Sequence, residues 1–224
     1  NLKNLISNVP EAYRKDAAAL PVATDFSLAG EMVNVPGTEK KAQVGNLPWI
    51  CHNIWLQYRF SMDETILRDV LFPTLRRAIN FYLPFLKEDE QGKLHLKRTF
   101  SPEYGTAEDC NYDIALLRWG CNTLLEAARI LSVDDELIPR WKEVTEKLTD
   151  YPQDKNGMMI GKDVPFSRSH RHYSHLLMFY PLYLLNAEQS GSKELMEKSV
   201  EHWHSLPGNI LGYTYTGASS LYAA

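Results

Sequence analysis

The feature that most constrains this chain is a helical apolar stripe. Ile114, Leu117, Cys121, Leu124, Leu125, Ala128 and Leu131 recur at the i, i+3, i+4, i+7 spacing of a buried helix face. A stripe of that length must be covered by other elements, and its neighbours are helical too. Periodicity predicts helices over residues 2–19, 48–60, 174–185 and 192–206, with another starting near Thr216. Ser61-Met62-Asp63-Glu64 reads as a capping box opening a helix from Asp63, with Pro73 kinking or dividing it before a segment that ends near Leu86. Asp134, Asp135 and Glu136 put acids where the positive end of a helix dipole favours them, and so begin another helix. Short strands fit residues 93–97 and 158–161, but neither is long enough to build a sheet. There is no βαβ alternation and no glycine-rich phosphate loop.

Segments starting near Trp49, Asn111, Ser174 and Thr216 are apolar on several sides, whereas those between them carry a charged face. Buried and exposed helices therefore alternate, with room between successive buried ones for a helical hairpin and a long leading loop. An α/α toroid is wound in this way, inner helices lining a central cavity and outer helices covering them. Helical-repeat solenoids have a tighter and more regular period and rank second.

Of the 224 residues, 44% are hydrophobic and 23% charged, a balance that specifies a folded domain and excludes a disordered or fibrous chain. A formal net charge of -4 gives no basic field to neutralise a phosphate backbone, so nucleic acid is not expected as a partner. No stretch approaches the roughly 18 uninterrupted apolar residues of a membrane span. The longest apolar run, residues 176–185, is broken by Pro181. Cys51, Cys110 and Cys121 form no CxxC pair and read as buried free thiols, which leaves the compartment open. The first residue is Asn1, and neither a charged n-region nor an apolar signal core comes after it, so the N-terminus reads as a product of cleavage or truncation. Aromatics reach 11%, more than a helical core needs; sugar pockets use such rings as stacking floors, although core packing accounts for most of them.

Two loops, each running directly into an expected inner helix, hold the chemistry. The first, residues 99–113, carries four carboxylates: Glu103, Glu108, Asp109 and Asp113. Asp109 or Asn111 can cap the next helix, and Asp113 suits its first turn. Glu103 differs, because Pro102 stiffens the backbone before it while Gly105 loosens the backbone after it, so its carboxyl can be held at a fixed point against Phe100 and Tyr104. The second loop, residues 167–175, packs His170, His172 and His175 with Arg168 and Arg171. Its histidine spacing matches neither HExxH nor a cysteine–histidine zinc pattern, so no metal is expected. Two readings remain: a structural one, with Ser174 as N-cap and His175 packed and hydrogen-bonded, and a polar pocket wall that hydrogen-bonds hydroxyl groups. Ser101 and Ser174 lack the GxSxG context of a serine nucleophile.

At these loops the chain resembles glycoside hydrolase family 95, the inverting α-L-fucosidases and related α-L-galactosidases. Ser101-Pro102-Glu103, then Asp113, then Glu126-Ala127-Ala128-Arg129-Ile130-Leu131 is similar to the family's "SPE … D … EAA.IL" segment. His170-Arg171-His172-Tyr173-Ser174-His175-Leu176 with Tyr180-Pro181 is similar to its "HRH.SHL…YP". Trp49, His52, Trp55, Tyr58, Asp63, Leu67, Pro73, Leu75 and Phe81 resemble the family's preceding helix pair, so the likeness covers residues 45–185, with weaker agreement at 215–218.

The resemblance implies an all-α (α/α)6 toroid of the six-hairpin glycosidase type, of which residues 1–224 form a single all-α domain that is part of the barrel and incomplete alone. It implies Glu103 as general acid, protonating the glycosidic oxygen. It implies His170 as a substrate contact, with Arg171, His172, His175 and Asp113 as further sugar-binding residues, and neither metal nor cofactor. Such an acid must stay protonated near neutral pH, so its pocket is expected to raise its pKa. The family's water-holding asparagine pair and its activating aspartate have no counterpart in this sequence. The general base is therefore expected outside it, and the segment alone is expected to be inactive. The implied partners are an oligosaccharide or glycan substrate and the remainder of the parent enzyme; a glycan hydrolase would be secreted or periplasmic. The alternative is a non-catalytic helical carbohydrate-binding or scaffold domain derived from such a barrel.

Overall fold

The computed structural model describes residues 1–224. The chain is mainly helical: α1 Leu2–Ser7, α2 Asn46–Ser61, α3 Phe72–Asn80, α4 Asn111–Leu131, α5 Ile138–Lys147, α6 Ser192–Ser205 and α7 Gly212–Ala223. Its strands form three antiparallel two-stranded hairpins: β1 Leu86–Glu88 with β2 Leu94–Leu96, β3 Thr99–Ser101 with β4 Gly105–Ala107, and β5 Gln153–Asp154 with β6 Gly157–Met158. No helix is long and apolar enough to cross a membrane.

The stripe read from the sequence lies on α4, the longest helix, whose first seven residues are all buried. It packs against α2, α3, α5 and β3, so it forms the axis of the core. Gly120 makes the α3–α4 approach possible: a Cβ there would lie 2.2 Å from Ile79 Cδ1. On α2 the buried side is Leu47, Cys51, Trp55 and Tyr58, the i, i+4, i+8, i+11 row of one face.

Proline accounts for the main departures from the expected helices. The helix expected over 2–19 stops at Ser7 and yields a single 3-10 turn at Glu11–Tyr13, because Pro10 disfavours the α region at the residue before it. The helix expected over 63–86, kinked or divided at Pro73, instead runs unbroken past Pro73 and stops at Asn80, short of Leu86. Ile66–Leu71 is a π-helix leading into α3, which carries Pro73 in its first turn, where its missing N–H costs little. Residues 174–185 form one 3-10 turn, Ser174–Leu176, and then irregular turns containing a cis Tyr180–Pro181 bond. Leu176, Leu177, Met178 and Phe179 are nonetheless fully buried, so the apolar run fills the core without being helical.

Helix starts also differ in detail. The Ser61 capping box does not form; Asp63 Oδ1 accepts from Thr65 N–H at 2.9 Å, and Ser61 Oγ accepts from Asp63 N–H at 3.2 Å. Asp134 and Asp135 precede α5 rather than opening it, and Asp135 Oδ1 accepts from Leu137 N–H. The last helix begins at Gly212, not Thr216, where Thr214 Oγ1 accepts from Leu211 N–H at 3.2 Å.

Candidate active site

Glu103 stands at the tip of the β3–β4 hairpin. Tyr104 N–H donates to Ser101 O at 3.1 Å, closing a turn in which Pro102 is second and Glu103 third with φ +57°. Proline second and a left-handed third residue are the marks of a type II turn, whose third place usually falls to Gly or Asn. Holding a glutamate there costs roughly 1 kcal/mol. Such strain gathers where a side chain's direction matters to function.

The base of the hairpin is pinned by Asp109, which itself has φ +45°. Its Oδ1 accepts from Leu96 N–H at 2.7 Å, and its Oδ2 lies 2.7 Å from His95 Nδ1. His95 Nε2 faces Asp89 Oδ2 at 3.0 Å. Burial works to lower the His95 pKa, but the Asp109 and Asp89 carboxylates override it and hold that pKa above its ordinary value.

Residues 167–174 wrap around the hairpin tip. Tyr104 Oη accepts from Ser167 N–H at 2.7 Å and Arg168 N–H at 3.1 Å, while the Arg168 guanidinium lies over the Tyr104 ring and donates to Tyr104 O. Ser101 Oγ and Ser174 Oγ share a buried hydrogen bond of 2.9 Å. From α6, Trp203 Nε1 donates to His170 O at 2.7 Å. From α7, Thr214 Oγ1 donates to Arg171 O at 3.2 Å. Gly217 lets α7 close on the loop, since a Cβ there would lie 2.5 Å from the Tyr173 ring.

This scaffold delivers three side chains to Glu103. Arg171 Nη2 reaches both of its oxygens, Oε1 at 2.8 Å and Oε2 at 2.6 Å. His172 Nε2 lies 3.1 Å from Oε2. The same nitrogen lies 3.1 Å from Arg171 Nε, so it either accepts from Arg171 or, protonated, donates to Glu103. His170 Nε2 contacts Pro102 O at 3.2 Å, and its ring meets that of His172 edge-on at 5.0 Å. Burial lowers the His170 pKa and favours a neutral ring.

Glu103 is half exposed. Burial pushes its pKa up, but the charges of His172 and Arg171 outweigh that, and it sits below the usual glutamate value. The expectation of a raised pKa is thereby corrected: in this arrangement Glu103 is an ionised carboxylate clamped by the Arg171 guanidinium, with His172 beside it.

Donor atoms of Glu103, His170 and His172 lie within 4.8 Å of one another, a set that could hold a borderline transition ion. The guanidinium already on both carboxylate oxygens opposes a cation, and neither imidazole has its Nδ1 fixed by a partner as metal-bound histidines usually do.

Of the expected site residues, the fold thus brings together Glu103, His170, Arg171 and His172, and leaves two elsewhere. Asp113 is fully buried at the start of α4, accepting from Tyr82 Oη at 2.7 Å and Thr99 Oγ1 at 2.6 Å, so it cannot meet a sugar from there. His175 is also buried; it is stacked on Phe166 at 4.4 Å with its Nδ1 unpartnered, and burial drops its pKa to about 3. It is packed as expected, but the expected hydrogen bonding is not met at Nδ1, which has no partner. Neither Asp109 nor Asn111 caps α4: Asp109 serves the hairpin, and Asn111 Nδ2 donates to Pro152 O and Met159 O at 2.8 Å each. Three residues join the site that the sequence did not single out for it: Tyr213, edge-on to His172 at 5.2 Å; Trp49, lining the same recess; and Thr214. The high aromatic content was the sequence signal for Tyr213; Trp49 also opened an expected inner helix, and Thr214 had no signal.

With this geometry in view, the profile of the Glycosyl hydrolase family 95 catalytic domain matches residues 10–212. The chain belongs to glycosyl hydrolase family 95. It is similar to Alpha-L-fucosidase 2 of Arabidopsis thaliana, 27% identical over 167 residues that make up 68% of this chain and 20% of that protein. It is also similar to Probable alpha-fucosidase A of Aspergillus niger, 24% identical over 173 residues, 66% of this chain and 20% of that protein. The family 95 segment therefore spans about a fifth of the length of the curated relatives it matches.

Proposed function

We propose that residues 1–224 form one domain-scale part of an (α/α)6 catalytic barrel in an α-L-fucosidase-type enzyme, which removes terminal α-L-fucosyl or related residues from glycans with inversion. Glu103 is the general acid. His170, Arg171 and His172 hydrogen-bond the sugar hydroxyls and set the charge around that acid. The observation that carries this reading is the meeting of Glu103 with the 170–172 loop across nearly seventy residues of sequence, in a chain of family 95.

The chemistry has a specific requirement. An acid must hold a proton when the glycosidic oxygen leaves, whereas the Arg171 clamp favours the ionised form. Sugar binding therefore has to draw Arg171 and His172 onto hydroxyl groups and desolvate Glu103, so that the carboxyl takes up a proton within the Michaelis complex. Inversion also needs a second carboxylate about 6.5–9.5 Å away to activate water. Asp109 and Asp113 are sealed in internal hydrogen bonds, so this base is assigned outside these residues.

The test is hydrolysis of a chromogenic α-L-fucoside by the full-length parent enzyme and its Glu103→Gln variant. A loss of kcat/KM on the order of a thousandfold is expected for removal of a general acid. Unchanged turnover rejects Glu103 in that role.

A further inference from the structure

Residues 96–109 form a closed loop with Glu103 near its centre. Leu96 and Asp109, at its two ends, exchange two hydrogen bonds: Asp109 N–H donates to Leu96 O at 3.0 Å, and Leu96 N–H donates to Asp109 Oδ1 at 2.7 Å. Between this clasp and the tip, the β3–β4 ladder pairs Thr99 with Ala107 and Ser101 with Gly105. The 170–172 loop holds the tip from one side, and the clasp holds the two roots of the hairpin from the other. The direction in which Glu103 points therefore depends on how firmly the clasp is fixed.

A residue outside the loop completes the clasp. Asp109 is buried with φ +45°, and the partner of its second oxygen, Oδ2, is His95 Nδ1 at 2.7 Å. On the other edge of the ring, His95 Nε2 faces Asp89 Oδ2 at 3.0 Å, while Asp89 Oδ1 accepts from Gln91 N–H and Lys93 N–H, at 2.9 and 2.8 Å, in the β1–β2 turn. His95 thus bridges the turn of one hairpin to the base of the next. Both imidazole nitrogens can donate only when the ring is protonated. Burial works against that charge, and the two carboxylates outweigh it. Lys87 stands opposite His95 on β1, and Glu88, Glu90, Lys97, Glu108 and Lys162 line the same open depression, but none of these carboxylates is ion-paired to the ring. The two links are unequal. The Asp109 side chain is 3% exposed and that of Asp89 30%, so leaving an Asp109 oxygen without a partner costs more.

We infer that His95 is a positioning residue for Glu103, acting through its Nδ1 bond to Asp109, which holds the roots of the hairpin at the spacing that aims the Glu103 carboxyl. The inference rests on the proposed function, because it concerns how the acid of that site is oriented. His95 makes no hydrogen bond to Glu103, His170, Arg171 or His172, so its influence travels through the clasp and the β3–β4 ladder. The Nε2 bond to Asp89 is secondary: it steadies the ring and adds little to the aim of Glu103.

The test uses the full-length enzyme and an aryl α-L-fucoside, with kcat expressed per folded molecule. In His95→Asn the side-chain amide nitrogen takes the place of Nδ1 and keeps a donor for Asp109; in His95→Gln it takes the place of Nε2 and that donor is lost. A fall in kcat of roughly ten- to hundredfold is expected for His95→Gln, the scale of a misplaced catalytic group, whereas His95→Asn should stay within about threefold of wild type. A purely structural His95 would lower the unfolding midpoint and leave kcat of the folded molecules unchanged, and that result overturns the assignment whatever happens to KM. An equal fall in both variants also overturns it. If His95→Gln does not fold, Asp89→Asn decides: it breaks only the Nε2 ion pair, so kcat should again stay within about threefold, and a loss of roughly tenfold refutes the Nδ1 route. Should the wild-type enzyme cleave no α-L-fucoside, the proposed function fails, and backbone amide exchange over residues 99–107 still decides the role of the clasp. Faster exchange in His95→Gln but not in His95→Asn supports it; exchange unchanged in His95→Gln, or raised equally in both, overturns it.

Discussion

Asp113 and Glu103 lie ten positions apart and face opposite environments. Asp113 is sealed at the start of α4 with two hydroxyl donors and no ion-pair partner, and burial pushes its carboxyl up to about 7. Glu103 is half exposed on a strained turn and held by Arg171 and His172, which bring it below the usual value despite some burial. One carboxylate organises the core, while the other is presented outward at a cost in backbone strain. An acid's role in this chain is thus set by where its hydrogen-bond partners come from: the structural acid is satisfied by hydroxyls of its own core, and the candidate catalytic acid by the guanidinium and imidazole of a remote loop.

The contrast can be broken most forcefully by truncation. Asp113→Ala leaves the Tyr82 and Thr99 hydroxyls buried without an acceptor, so unfolding free energy should fall by about 2–4 kcal/mol. Glu103→Ala should change it by less than about 0.5 kcal/mol, as for other exposed positions. Equal losses in chemical denaturation would abolish the distinction.

The pH dependence refines it. The folded-state pKa of Asp113 is raised above its ordinary value of 3.8 to about 7, so the folded form binds more protons. Its stabilising contribution is complete below pH ~4 and is lost as pH rises through ~7. Asp113→Asn should flatten that decline, which is on the order of a few kcal/mol in wild type, when denaturation midpoints are measured across the window. An unaltered slope would mean that Asp113 is not the titrating group. A smaller effect is expected for Tyr82→Phe, which removes one of two donors to Asp113 and should cost about 1 kcal/mol. A cost near zero would show that Thr99 alone suffices.

How much of this was legible in the sequence depends on the range of the deciding force. Helices α4 and α6 and most of α2 could be read from local periodicity, because their apolar rows are continuous, whereas of the strands only β2 and the end of β6 were read. Pro73 marked the place of the π-helical distortion but did not divide the helix. The run 176–179 misled because buried irregular backbone has the same apolar composition as a buried helix, and Pro181 decided against the helix. The Ser101–Glu103 and His170–His172 motifs were visible as strings, and their meeting rests on long-range contacts such as Ser101 with Ser174. Asp113 and His175 were read as sugar contacts because residue type and motif carry no information about burial. The pKa of Glu103 was read in the wrong direction because Arg171 reaches it only through the fold.

The pairing of Glu103 with the remote loop is tested most directly by the pH dependence of kcat/KM for the full-length enzyme and its Arg171→Ala variant, since that profile reports the acid of the free enzyme. Removing the guanidinium should let the limb governed by Glu103 move to higher pH. Superimposable limbs would show that Arg171 does not govern Glu103, and the shared site would have to be abandoned.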